Sequence, residues 1–405
     1  MNSLDRDQEQ IVARIREMVR TSIAPNAVET DTNATFPKAS IQALADAGFF
    51  GLTLPKDVGG IAQPPRVFIA IVEEIALACA STAMIYVMHI SATQGILNSK
   101  TLGNRESLLR DIASGKHLTT LAFSERGSRS QFWAPVSKLT ANANGDGFTT
   151  SAIKSWITSA SHASSYVSSV QKPDSESPMD VTVYLAHPKA KGMEIETGFN
   201  GLGLRGNDSV PVTYNNIDIA NSDLMTDQGE GATMMLEVLL PWFAIGTAAM
   251  ANGLCRAAVG ATAAHLSGTG FEHTKSQLRD LPNLRSRLAE MSVRTEQSRA
   301  LLAHTATEME MPTAMTPLYV LQSRLAAVEA AVDVTDLAMK ACGGAAFSKH
   351  LDVAAIRSLH VRRTADLECG KNPTLQIRIV CHALGQSDSP APVGIGRLEA
   401  MDAAP

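Results

Sequence analysis

The sequence predicts an α+β chain, mostly α, with an N-terminal helical domain, a middle β-barrel or β-sandwich domain and a C-terminal four-helix bundle. Three observations carry this. Helical periodicity fills the first 118 residues, short β-branched runs replace it between about 119 and 223, and long helical patterns return from 231 to about 384. The expected boundaries are 1–118, 119–225 and 226–385, followed by an extended tail over 386–405 that is rich in Pro, Gly, Ala and Asp. A chain of 405 residues exceeds what one hydrophobic core usually holds, which suits several packed units.

In the first part Ile11, Val12, Ile15 and Val19 recur at helical spacing, and Pro37 opens a second helix that runs to Gly48. Residues 55–60 (PKDVGG) read as a turn, and 67–94, rich in Ala, Ile and Met, as a buried helix or helix pair. The expected strands are 118–123, 136–141, 147–153, 165–170, 181–186 and 210–217, separated by Gly, Asn, Asp, Pro and Ser. Helix breaks are expected at 268–270, 280–282, 311–317 and 343–344. The run 325–341 is apolar on too many sides for a surface helix, which places it inside a bundle or at a subunit interface.

A formal charge of −5 gives no basic field for phosphate backbones, so no nucleic-acid partner is expected. Cys79, Cys255, Cys342, Cys369 and Cys381 are odd in number and form no CxxC pair, which reads as reduced, mostly buried thiols. The histidines show neither HxxxH nor HExxH spacing, so no metal chemistry is expected. A charged N-terminus without an apolar core does not read as a secretory signal, and no run of about 18 residues is uninterruptedly apolar. The expectation is therefore a cytoplasmic protein with no membrane span.

Four local motifs stand out. Residues 154–160 (KSWITSA) place an indole, Trp156, two residues before a hydroxyl, Thr158. A Ser- and Gly-rich loop, 121–130 (LAFSERGSRS), precedes it and carries Phe123, Ser124 and Ser130. Residues 201–209 (GLGLRGNDS) hold Arg205 and Ser209, and 342–347 (CGGAAF) hold Gly343 and Gly344. Taken singly each has an ordinary reading: a core tryptophan, a turn, a charged loop and a helix-ending turn.

In this order and at this spacing, over about 36–385, the motifs resemble the acyl-CoA dehydrogenase family. The resemblance implies a flavin, FAD, with Trp156 covering the ring and Thr158 bonding its reactive edge. An indole offers a flat stacking face, and a hydroxyl stabilises charge on a reduced flavin. It further implies Phe123, Ser124 and Ser130 as cofactor contacts, Arg205 and Ser209 at the floor of the active site and the domain junction, and Gly343–Gly344 as a turn laid against a neighbouring subunit's flavin. A homodimer or homotetramer follows from that shared arrangement.

Two departures qualify the activity. The family's Tyr-Glu-Gly-Thr segment, which supplies the base, has no counterpart in 356–375 (IRSLHVRRTADLECGKNPTL), where Glu368 is the first choice and Asp366 the second. The family's other base position, near 240–244 (LPWFA), also holds no carboxylate. Second, 267–273 (SGTGFEH) lacks the Arg that binds the cofactor pyrophosphate, so FMN is the alternative to FAD, with Lys275 or Arg279 as substitute cations.

The leading expectation is α,β-dehydrogenation of an acyl thioester on coenzyme A or a carrier protein, with electrons passing to an electron-transfer flavoprotein. A flavin-dependent monooxygenase of the same fold, fed reduced flavin by a separate reductase, and a non-catalytic descendant of the pocket are the alternatives.

Overall fold

The computed structural model describes residues 4–128, 131–143, 145–201 and 203–347. Its N-terminal part is helical. Helix α1 (Arg6–Met18) starts at a reciprocal cap: the Asp5 carboxylate accepts from Gln8 N at 2.9 Å and the Gln8 side chain accepts from Asp5 N at 3.1 Å. A π-helical turn leads into α2 (Ala24–Asn33), and α3 (Lys38–Asp46) follows. The sequence reading gave no separate α2, because a Pro and several Asp, Asn and Thr residues blur its apolar stripe.

The apolar run 67–94 is a helix pair, α4 (Pro65–Ala78) and α5 (Ala80–Asn98), broken at Cys79, whose backbone is extended (φ −147°, ψ 106°). Helix α6 (Arg105–Ala113) closes this part.

Two sheets make the middle. Strand β1 (Thr119–Ala122) pairs parallel with β4 (Ser165–Gln171), which pairs antiparallel with β5 (Val181–Ala186). The second sheet runs β2 (Thr140–Ala141), β3 (Gly147–Ile157), β7 (Val210–Ala220), β6 (Met193–Ile195), all antiparallel. The expected strand 136–141 contracts to two residues, and the three-residue β6 was too short to give a pattern.

The three-stranded sheet is buried on both faces. One face meets the second sheet through Ala122, Tyr166, Val170 and Tyr184, and the other meets the helical core through Leu121, Val167, Val183 and Leu185. Both faces of β4 and β5 are buried, with Ser165, Ser168, Ser169 and Thr182 among the covered residues, whereas β3 and β7 alternate because one of their faces meets solvent.

The C-terminal helices are α7 (Gly231–Thr233), continued by a π-helical stretch into α8 (Leu240–Gly268), then α9 (Pro282–Glu310) and α10 (Thr316–Cys342). A small hairpin, β8 (Gly270–Phe271) with β9 (Ser276–Gln277), separates α8 from α9. The continuous helix Gly231–Gly268 is long and apolar enough to cross a membrane, with a mean hydropathy of 1.6. Two-thirds of that apolar window is buried inside the protein, where α8 packs against α4, α5, α9 and α10. The thiols of Cys79, Cys255 and Cys342 are free and buried; Cys369 and Cys381 lie outside the described residues.

Close approach and charge both lock the helices. A Cβ on Gly253 of α8 would stand 2.5 Å from Glu73 O and 2.7 Å from Ala76 Cβ of α4. Beside it, Glu73 meets Arg299 at 3.0 Å and Arg256 at 3.4 Å, while Glu74 meets Arg256 at 3.2 Å and Arg16 at 3.3 Å. Gly253→Val is therefore expected to destabilise the fold by about 1–3 kcal/mol in urea unfolding, since α4 and α8 have no room to separate without unpacking.

His89 on α5 is fully buried. Its Nε2 lies 3.3 Å from Phe50 O, and its Nδ1 accepts from Thr119 N at 3.2 Å, a pattern that only the neutral ring satisfies. Burial pushes its pKa down to about 3, and that of His117 to about 4. Both folded-state values lie below the ordinary 6.5, so stability is full above about pH 6.5 and falls as the pH drops through the window toward 3, at up to about 1.4 kcal/mol per pH unit for each ring. Urea midpoints measured from pH 7 to pH 4 are expected to fall steeply, and His89→Leu, though less stable at pH 7, is expected to flatten that dependence.

Candidate functional site

Strand β3 carries the site at its C-terminal end. Phe148, Thr150, Ala152 and Lys154 point inward. Continued alternation would bury Trp156 as well. Instead Lys154 pairs with Val212 and Ile157 with Val210, so β3 spends one residue more than β7 between those pairs. The bulge reverses parity: Ile157 and Thr158 turn inward, and the Trp156 indole stands 61% exposed.

Beyond the bulge, residues 158–161 are bonded to 207–209. Thr158 Oγ1 lies 3.0 Å from Ser209 Oγ, Ser159 N donates to Asn207 O at 2.9 Å, and Ser161 N donates to the Asp208 carboxylate at 2.7 Å. Ser159 (φ 60°), Leu204 (φ 53°) and Asp208 (φ 50°) all adopt left-handed backbone here, a concentration of strain that marks a shaped site. Asn207 is buried, and its Oδ1 has no partner.

The same loop docks onto the helices. Arg205 Nε donates to Asp31 O of α2 at 2.7 Å and its Nη1 to Gly201 O at 3.3 Å, and Gly206 N donates to Ser81 Oγ at the start of α5 at 3.2 Å. Of the two roles implied for Arg205, the domain junction is the one its hydrogen bonds serve. His162 stacks on Phe36, with ring centroids 3.8 Å apart, and burial lowers its pKa against the pull of Asp208.

The Ser-rich loop pairs with β3 from the other side. Ser155 N donates to Ser124 O at 2.8 Å and Arg126 N to Ile153 O at 2.9 Å, so Ser124, half-buried, lies beside the strand that ends in Trp156. Phe123 is buried in the helical core, 6.3 Å from the Phe132 ring. Ser130 lies outside the described residues.

Between these two segments sits a feature that motif matching passed over: Lys154 Nζ and Glu125 Oε1, 2.7 Å apart, are 0% and 1% exposed. Lys154, in step with the inward positions Phe148, Thr150 and Ala152 of β3, was the available signal.

A cavity of about 360 Å³ opens between α2, the α4–α5 turn and α8, lined by Ala24, Ala27, Asp31, Cys79, Ser81 and Leu254 among others. Neither Trp156 nor Thr158 lines it; it is joined to their loop through Ser81.

The second base position is filled by aromatic packing. Trp242 lies 5.5 Å from the Phe68 ring, the Arg324 guanidinium sits over Phe243, and Glu237 one turn earlier is exposed. The segment 267–273 forms one side of the β8–β9 hairpin, with Lys275 and Arg279 exposed nearby. Gly343 caps α10 with φ 61°; it and Gly344 are exposed, and a Cβ on either would meet nothing within the chain. Glu368 and Asp366 lie outside the described residues.

Comparison with known proteins places this geometry. A family model described as acyl-CoA dehydrogenase, N-terminal domain, matches residues 5–116, and one described as acyl-CoA dehydrogenase, C-terminal domain, matches 229–366. The chain is 26% identical over 373 residues to the short-chain specific acyl-CoA dehydrogenase, mitochondrial, of Bos taurus, covering 91% of this chain and 88% of that one. The structure of butyryl-CoA dehydrogenase from Megasphaera elsdenii shares the fold with a TM-score of 0.87 at 19% identity, over 95% of this chain and 99% of that one. A FAD complex of PigA does so with a TM-score of 0.82 at 16% identity, over 95% and 99%. Matched by the two models at both helical ends and over more than half its length, the chain belongs to the acyl-CoA dehydrogenase family.

Proposed function

We propose that the protein is a FAD-dependent oxidoreductase that removes hydrogen from Cα and Cβ of an acyl thioester carried by coenzyme A or a carrier protein. The observation that carries this is the bulge in β3, which turns the Trp156 indole outward while Thr158 and Ser209 stay buried as a bonded hydroxyl pair. Relatives named as acyl-CoA dehydrogenases and a neighbour described as a FAD complex support it.

The residues fit a flavin. An isoalloxazine needs a flat apolar wall and donors at its edge. The exposed indole is such a wall, and two hydroxyls that share one hydrogen bond keep one proton to donate. Ser124 adds a third hydroxyl on the paired loop. Cationic support for a diphosphate falls to exposed Lys275 and Arg279 rather than to an Arg within 267–273.

When bound, the flavin supplies the hydride acceptor for the thioester's Cβ. Trp156 would wall the ring and keep water off it, and the Thr158 hydroxyl, oriented by Ser209, would supply a donor to it. Glu368 takes the Cα proton, a role assigned by its place in the sequence. Electrons then pass to an electron-transfer flavoprotein. The exposed Gly343–Gly344 turn would be free to lie against a neighbouring subunit's flavin in a homodimer or homotetramer.

Purified protein reconstituted with FAD is expected to be yellow and to bleach when mixed anaerobically with an acyl thioester from a panel of chain lengths. Glu368→Gln should slow bleaching about 100-fold or more while leaving FAD bound. Bleaching at the wild-type rate would remove Glu368 from the mechanism. Thr158→Val should weaken FAD binding about tenfold without lowering the thermal midpoint below that of other buried Thr→Val changes. Protein that takes up no flavin at all would overturn the reading.

A further inference from the structure

The Glu125–Lys154 pair is built far more fully than its neighbours require. Glu125 accepts from Lys154 Nζ at 2.7 Å, Ser137 Oγ at 2.6 Å, Val136 N at 2.8 Å and Ser137 N at 2.9 Å. Lys154 Nζ also donates to Ser169 O of β4 at 2.9 Å and stands 5.7 Å from the centre of the Tyr214 ring on β7. Attraction to Lys154 and these hydrogen bonds outweigh burial and hold the Glu125 carboxyl below the usual range.

Removing two charges from water is costly, and apolar side chains of similar volume commonly pack as stably. An apolar pair, however, would fix no register. This one clamps four pieces of chain together: β3 two residues before Trp156, the loop one residue after Ser124, the return of that loop at Val136–Ser137, and β4. The backbone bonds from Ser155 N to Ser124 O and from Arg126 N to Ile153 O lie on either side of it.

We propose that Glu125 and Lys154 are positioning residues of the flavin site, whose buried ion pair holds the Trp156 strand and the Ser124 loop in one register and thereby fixes the wall against which the ring packs. The inference rests on the flavin reading above. The pair touches neither substrate nor ring; it acts through Trp156, Thr158 and Ser124.

The test compares full-length Glu125→Gln, the neutral double variant Glu125→Gln/Lys154→Met, and Leu302→Ala, a cavity in fully buried packing of α9 remote from the pair. Each is assayed for thermal midpoint, amide hydrogen exchange and FAD affinity by flavin fluorescence. Both pair variants are expected to raise exchange at least about tenfold at Arg126, Val136, Ser137 and Ser155 with the helices unchanged, and to weaken FAD about tenfold. Leu302→Ala should lower the midpoint without either effect. Should Glu125→Gln fail to fold, the double variant, with no charge left unpaired, carries the comparison. Pair variants that lose midpoint yet exchange evenly across the chain and bind FAD as wild type does would overturn the inference. Wild-type protein that takes up no flavin would sink the functional reading alone, and the exchange data would still decide whether the pair sets the register of this wall.

Discussion

A sheet with no free face governs this molecule. Strands β1, β4 and β5 are covered by the second sheet on one side and by helices on the other, so the β part cannot shift against the helices without exposing both cores at once. The Trp156 strand and the two loops beside it hang from that junction. The 204–209 loop reaches α2 and α5 through Arg205 and Gly206, the Ser124 loop continues from β1, and Trp156 ends the strand facing that sheet. Backbone strain at Ser159, Leu204 and Asp208 is tolerable because the surrounding core leaves these residues no alternative.

Layer order was legible in the sequence because it depends on periodicity and punctuation alone. The short runs at 165–170 and 181–186, bounded by turn residues, became doubly covered strands, and the break at 343–344 became the cap of α10. Helix α2 was not legible, since Pro25 and its Asp, Asn and Thr residues interrupt the apolar stripe, while what fixes it, the bond from Arg205 to Asp31 O, comes from a loop 174 residues away. The apolar stretch of α8 was visible as composition, and its burial against α4, α5, α9 and α10 was not, because neighbours come from the fold.

The site was legible as residue types and not as geometry. The indole and hydroxyl two positions apart were visible, but simple alternation along β3 would have buried Trp156 beside Lys154. What exposes it is a bulge whose existence depends on the partner strand β7, and no local pattern reports a partner. Likewise Glu125 and Lys154 are 29 residues apart in sequence, and only the fold brings them together. Departures from the family pattern were better seen in the sequence, because missing residues need no geometry: Trp242 and Phe243 occupy by packing the place where a carboxylate was sought.

The central claim, that the indole released by the bulge stacks on a flavin, is open to one direct measurement. The chain has three tryptophans, so titration with FAD can be followed by quenching of intrinsic fluorescence in wild type and in Trp156→Phe. The account predicts strong quenching in wild type, most of it gone in the variant although FAD still binds. Equal quenching in both would place the ring away from Trp156 and contradict the account.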